Sequence, residues 1–155
     1  MVCLPLFPLL GCYEEESCSA RFGVTGSVIL QHVWPSANCM FNSFELSDAN
    51  PQLTLELDED QLLISFRQSD IGVGTHLVDV TYRHELEVWT NSGTLGAEIP
   101  CTVRLDEAEL ENWVVNDHWR LSGILECPGQ LESSNGSVQL HDVHFSVFIG
   151  QFDHL

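Results

Sequence analysis

The sequence predicts an all-β fold, a single antiparallel β-sandwich or barrel of about eight or nine short strands. Apolar and polar residues alternate with period two in one short segment after another. Turn residues separate these segments at intervals of roughly 10 to 15 residues. Helical segments do not alternate with the strands, which argues against a parallel sheet built from βαβ units.

The elements follow in chain order. Residues 21–34 are extended, residues 35–38 form a turn, and residues 39–46 make a second strand. The clearest hairpin pairs residues 52–58 with residues 61–66. Each of its strands places three apolar side chains on one face, namely Leu53, Leu55 and Leu57 in the first and Leu62, Ile64 and Phe66 in the second.

Four further segments continue the alternation, and they lie at residues 75–82, 85–90, 99–105 and 119–127. Residues 138–140 and 143–149 alternate with opposite parity, so a β-bulge near His141-Asp142 is expected to restore one inward face. One stretch, residues 106–115, favours a short helix instead. Leu110, Trp113 and Val114 there are spaced i, i+3, i+4.

The chain of 155 residues has room for one domain with a sizeable core. We divide it into an apolar, truncated signal-peptide-like leader at residues 1–11, an acidic tether at 12–18 and one β-domain at 19–155. The formal net charge is −18, and all five basic residues are scattered arginines. Nucleic acid and anionic lipid headgroups require clustered Lys and Arg, so neither is an expected partner.

Six cysteines give information about the compartment. Cys3 and Cys12 lie at the amino terminus, and the four others allow three disulfide connectivities. Strand parity places Cys101 and Cys127 on core faces of strands near each other in the sequence, which favours a bridge between them. Cys18 would then pair with Cys39. Two disulfides indicate an oxidising environment outside the cytoplasm.

The segment Leu9-Leu10-Gly11-Cys12 follows an apolar run and precedes Tyr13 and three glutamates. It resembles the lipobox of bacterial lipoproteins. The resemblance implies lipidation of the Cys12 thiol, cleavage before it, and attachment to the membrane through the lipid. Each buried acyl methylene contributes about 0.8 kcal/mol to membrane affinity.

A second resemblance covers the carboxy-terminal part of the chain. The run from Trp119 to Cys127, followed by Val138-Gln-Leu140 and Phe145, is similar to small secreted and lipoprotein β-domains of bacteria. It implies the fold class and identifies no catalytic residue.

Motifs for catalysis or cofactor binding are missing from the sequence: it contains no nucleophile elbow, zinc-protease motif, P-loop or dinucleotide fingerprint. We therefore expect no enzyme, no catalytic residue and no cofactor. His141 and His144 would face opposite sides of a regular strand, so no metal site is expected there. Asp58, Glu59 and Asp60 form an acidic turn that could hold calcium, although the spacing of a calcium loop is missing.

Trp89 and Trp113 are the expected ligand contacts. Trp89 follows Val88 and would face outward if Val88 faces the core, and an exposed pair of tryptophans could stack on a sugar.

The leading hypothesis is an exported, lipid-anchored lipoprotein of the cell envelope with a non-enzymatic structural or partner-binding domain. One alternative is an acidic periplasmic binder or inhibitor of a cationic protein, which would use charge complementarity for fast encounter. Another is a carbohydrate- or calcium-binding β-module.

Overall fold

The computed structural model describes residues 17–37, 43–46, 50–57, 60–91, 100–112 and 117–153. Every regular element in these ranges is a β-strand, which confirms the all-β prediction. The strands are β1 (Ser17–Gly26), β2 (Leu30–Ala37), β3 (Ser43–Leu46), β4 (Gln52–Leu57), β5 (Asp60–Phe66), β6 (Gly74–His84), β7 (Glu87–Thr90), β8 (Cys101–Glu111), β9 (His118–Glu126), β10 (Leu131–Ser133) and β11 (Gly136–Asp153).

All eleven strands belong to one hydrogen-bonded sheet. Its main path runs β10-β7-β6-β5-β4-β3-β11-β1-β2, while β8 bridges β6 to β9 and β9 pairs with β11. The pairs are antiparallel except for β3 and β11, which run parallel. The predicted hairpin is β4–β5, with Leu55 opposite Leu62.

The core forms on one face of this sheet. Buried side chains from strands throughout the sheet make one cluster, in which Leu53, Ile64, Val80 and Val103 are fully buried. Since a single sheet supplies side chains to one continuous core, it must curve so that its inner face surrounds them. The opposite face remains on the outside, where a ligand can reach it.

The helix predicted at residues 106–115 is wrong for the part that the structure describes. Residues 106–111 continue β8, and β9 pairs with them, for example Glu109 with Arg120. Pairing along a whole neighbouring strand outweighs a short helical spacing, because tertiary contacts override weak local propensity. Trp113 and Val114 lie outside the described residues.

The bulge predicted near His141-Asp142 is present in β11. Arg21 pairs with His144 and Gly23 with His141, so the register shifts between the two pairs. Asp142 has a φ of 50°, in the left-handed region. The bulge keeps Leu140 and Val143 both buried.

The Cys101–Cys127 disulfide is also present, and it joins the first residue of β8 to the residue that follows β9, with a Cα–Cα distance of 4.4 Å. Cys18 is disulfide-bonded too. Its predicted partner Cys39 lies outside the described residues, as does the lipidation candidate Cys12. Ser17 and Cys18, assigned to the tether, belong to β1 instead.

Candidate functional site

A shallow groove crosses the outer face of four neighbouring strands, β1, β11, β9 and β8. Strand register lines up the side chains of this face in three rows. One row is Ser17, Phe148, Arg120 and Glu109; the next is Ser19, Ser146, Ser122 and Glu107; the third is Arg21, His144, Ile124 and Arg104. Because strands are spaced about 4.8 Å apart, the rows extend roughly 14 Å across the sheet.

The depth of the groove follows from side-chain size. Three serines in the middle row lie between rows of larger side chains, such as Phe148 on one side and His144 on the other. The resulting cavity has a volume of about 320 Å³ and is open to solvent. We call it the serine groove; its polar lining consists of Ser19, Arg21, Asp106, Ser122, His144 and Ser146.

A bulge in β8 adds Asp106 to this lining. The β8–β9 register shifts between Leu105 and Glu107, which leaves Asp106 as the additional residue. Close packing of the two backbones accompanies the shift, because a Cβ on Gly123 would collide with the carbonyl oxygen of Arg104. Glycine at position 123 therefore permits the close approach of β8 and β9 beside Asp106.

The charges in the groove are arranged unevenly. Arg104 and Asp106 form an exposed ion pair at 3.5 Å, so they largely neutralise each other at the β8 end. Arg21 and His144 lie side by side at the other end, on β1 and β11. Within the described ranges no ion pair joins Arg21 to a carboxylate, although the chain has 23 acidic residues. The β1–β11 end is thus a local positive region on a strongly acidic protein.

Phe148 lies in the row next to the serines, and two neighbouring side chains pack on its ring. It faces outward, yet it is only 3% exposed. The guanidinium carbon of Arg120 lies 4.2 Å from its ring centroid, and the His118 ring stacks on it at 5.1 Å. Arg120 also donates from Nε to Glu111 at 2.7 Å, which holds the guanidinium over the ring.

The groove contains the residue types of a Ser-His-Asp triad without its geometry. Across the described part of the chain, no hydrogen bond joins His144 to a serine hydroxyl or to Asp106. The Ser19 hydroxyl instead donates a long bond of 3.4 Å to the Ser146 carbonyl oxygen. A nucleophile needs a base within hydrogen-bonding reach, so this arrangement is better suited to binding than to acyl transfer.

The described residues also hold no group of three or more His, Cys, Asp or Glu side chains that could bind a metal ion. The β11 bulge does bring His141 and His144 to the same outer face, as their outward partners Gly23 and Arg21 show. His141, however, shares a hydrogen bond of 2.7 Å with the Thr25 hydroxyl. His141 therefore already has a hydrogen-bond partner, and the two histidines lie opposite different residues of β1.

The expectation that Trp89 is an exposed ligand contact is wrong. Trp89 is 2% exposed and stacks on Tyr82 with ring centroids 5.5 Å apart, whereas Val88 is 39% exposed. The assumed parity was reversed, because the turn at Glu85 sets the phase of β7 and directs Trp89 to the core. Trp113, the other candidate, lies outside the described residues.

Asp60, one of the three carboxylates in the predicted acidic turn, lies at the start of β5. It is 3% exposed and bonds to Nδ1 of His84 across the β5–β6 pair. Burial raises the pKa of the neighbouring Tyr82 phenol, and the Asp60 carboxylate raises it further. The Tyr82 hydroxyl has no partner at standard hydrogen-bond geometry. Asp58 and Glu59 lie outside the described residues.

Comparison of the chain with protein-family models, curated proteins and solved structures finds no match. No helix in the ranges described is long and apolar enough to cross a membrane.

Proposed function

We propose that this chain is an exported lipoprotein of the cell envelope, whose β-domain has a non-enzymatic structural or partner-binding role. The observation that carries the proposal is the state of the described cysteines. Cys18, Cys101 and Cys127 are all disulfide-bonded. Structural disulfides persist in oxidising compartments and are rare where thiols are kept reduced.

Intact-mass measurement tests the export half of the proposal. Protein purified from the cell envelope is alkylated with and without prior reduction, and the number of alkyl groups is compared. We expect the described cysteines to react only after reduction. Free thiols at Cys101 and Cys127 in freshly isolated protein would contradict it.

The anchor is tested separately, through a Cys12→Ser variant. We expect the parent protein in the membrane fraction and the variant in the soluble fraction, because a serine hydroxyl cannot form the thioether that carries the lipid. A Cys101→Ser/Cys127→Ser variant is the matched control, since it also loses cysteines but retains the lipobox. If the Cys12 variant stays on the membrane, lipidation is not what holds it there.

A second candidate, an acidic binder of a cationic protein, is supported by the net charge of −18. Glu107 and Glu109 project outward from β8 and extend this negative surface beyond the groove. Binding through such a surface should weaken steeply as salt rises, because the Debye length falls from about 30 Å at 0.01 M to about 8 Å at 0.15 M. Titration with a basic protein such as lysozyme at both salt concentrations is the test, and salt-independent affinity would exclude this mode.

A further inference from the structure

We infer that the serine groove binds a carboxylate-bearing saccharide, a uronic acid unit, with its carboxylate at the Arg21–His144 end. This inference deepens the partner-binding role proposed above and does not depend on export or on the lipid anchor. The binding surface is the outer face of the sheet and not the predicted pair of tryptophans, since Trp89 is buried.

The position of the carboxylate follows from charge. Arg21 presents a planar fork of N–H donors that matches a carboxylate, and no described carboxylate pairs with it. Its cross-strand neighbour His144 adds an imidazole nitrogen on the same face. An anion at this end avoids Asp106, which lies across the sheet beside Arg104.

The remainder of the groove suits sugar hydroxyl groups. Ser19, Ser146 and Ser122 form a floor of hydroxyls; all three can accept hydrogen bonds, and Ser146 and Ser122 can also donate them, since Ser19 already donates to the Ser146 carbonyl oxygen. Asp106 provides a carboxylate that accepts from sugar hydroxyls at the β8 end. The groove is therefore polarised, with a site for an anion at one end and sites for hydroxyls along the rest.

The volume of the groove and the screening of the protein's net charge by salt are both compatible with a uronic acid ligand. A volume of about 320 Å³ lies at the small end of the range for ligand pockets, which fits one or two sugar rings and not a long polymer. The overall charge of −18 repels anions at long range, but at physiological salt this repulsion is screened beyond about 8 Å. Contacts inside the groove then decide affinity, and because the site is shallow we expect a Kd of about 0.1–1 mM.

The test uses the full chain and two disaccharides. Isothermal titration and saturation-transfer NMR measure binding of digalacturonic acid and of neutral galactobiose. Arg21→Gln removes the charge, and Ser146→Val fills the floor with a residue that β-strands favour. Arg83→Gln, an exposed arginine of β6 outside the groove, is the matched control. Thermal melting confirms that each variant is folded.

We expect digalacturonic acid to bind the parent and the Arg83 variant equally, and both groove variants about tenfold or more weakly. Galactobiose should bind more weakly than the acidic sugar. Equal binding of the two sugars, an Arg21 variant that behaves like the Arg83 control, or no binding up to about 10 mM would each overturn the inference. The binding experiment does not use cell fractionation. Its outcome therefore tests the sugar site independently of the export proposal.

Discussion

Asp60 and His84 face each other across β5 and β6, and the imidazole Nδ1 bonds the carboxylate Oδ1 of a nearly buried aspartate. The His84 side chain is 25% exposed, and its Nε2 lies 4.0 Å from Glu85. A buried carboxylate is costly unless it is hydrogen-bonded, so this contact ties the start of β5 to the end of β6.

Replacing His84 with alanine should lower the free energy of unfolding by about 2–3 kcal/mol, because the bond to a charged, buried group is lost. The same substitution made in an Asp60→Asn background should cost less than about 1 kcal/mol, since the charge is already gone. Urea titration of the four proteins in this cycle measures the coupling. Additive effects would show that the two side chains do not stabilise the fold through each other.

Alkaline pH should destabilise the protein through Tyr82. Its pKa is raised in the folded state, chiefly by burial and secondly by Asp60, so above about pH 10 the unfolded chain ionises this phenol while the folded protein does not. The stabilising contribution is therefore complete below pH 10 and is lost as pH rises further, at up to about 1.4 kcal/mol per pH unit. Denaturant titrations at several pH values measure this slope.

Tyr82→Phe is the control for that slope. It should flatten the alkaline decline and change stability at neutral pH by less than about 1 kcal/mol, because the hydroxyl has no standard hydrogen-bond partner to lose. An unchanged slope in this variant would assign the alkaline effect to other groups.

Gly123→Ala should destabilise the protein by about 1–3 kcal/mol, a cost typical of overpacking against neighbouring atoms. The added methyl group meets the backbone of Arg104, which cannot rotate away as a side chain can. Ser122→Ala is the matched control, because its side chain faces the open groove and should change stability by less than about 0.5 kcal/mol. Equal melting temperatures for the two variants would contradict the predicted contact.

Removal of the Cys101–Cys127 bridge by a double serine substitution should cost about 3–4 kcal/mol, on the view that the bridge restricts the unfolded chain. The separation of 26 residues sets this magnitude. Chemical denaturation of the parent and the variant under non-reducing conditions provides the measurement. A loss below about 1 kcal/mol would contradict this prediction. It would mean that residual pairing of β8 with β9 already restricts the unfolded chain when the bridge is absent.

The local alternation of apolar and polar residues was sufficient to predict much of the fold. Leu53, Leu55, Leu62 and Ile64 alternate over long enough runs that their inward face could be assigned, and the same parity predicted the Cys101–Cys127 bridge. Trp89 could not be assigned in this way. β7 has only four residues, so its phase depends on the preceding turn and not on its own alternation.

The serine groove was beyond the reach of sequence reasoning for a different reason. Ser19, Ser122 and Ser146 are far apart in the chain, and each is an ordinary polar residue of an alternating strand. Only the cross-strand register brings them into one row, and bulges in β8 and β11 shift that register by a residue at places that periodicity locates only roughly. The parity change at His141-Asp142 did predict a bulge, but it did not show which strands pair with β11 there.

The length of β11 affects the order in which the protein can fold. This strand bonds to β1, β3, β9 and β10, and it follows all of them along the chain. During synthesis, the earlier strands lack the partner that joins them until β11 has emerged from the ribosome. Such dependence on distant pairing slows folding, so the nascent chain should remain open for longer than one built from local contacts.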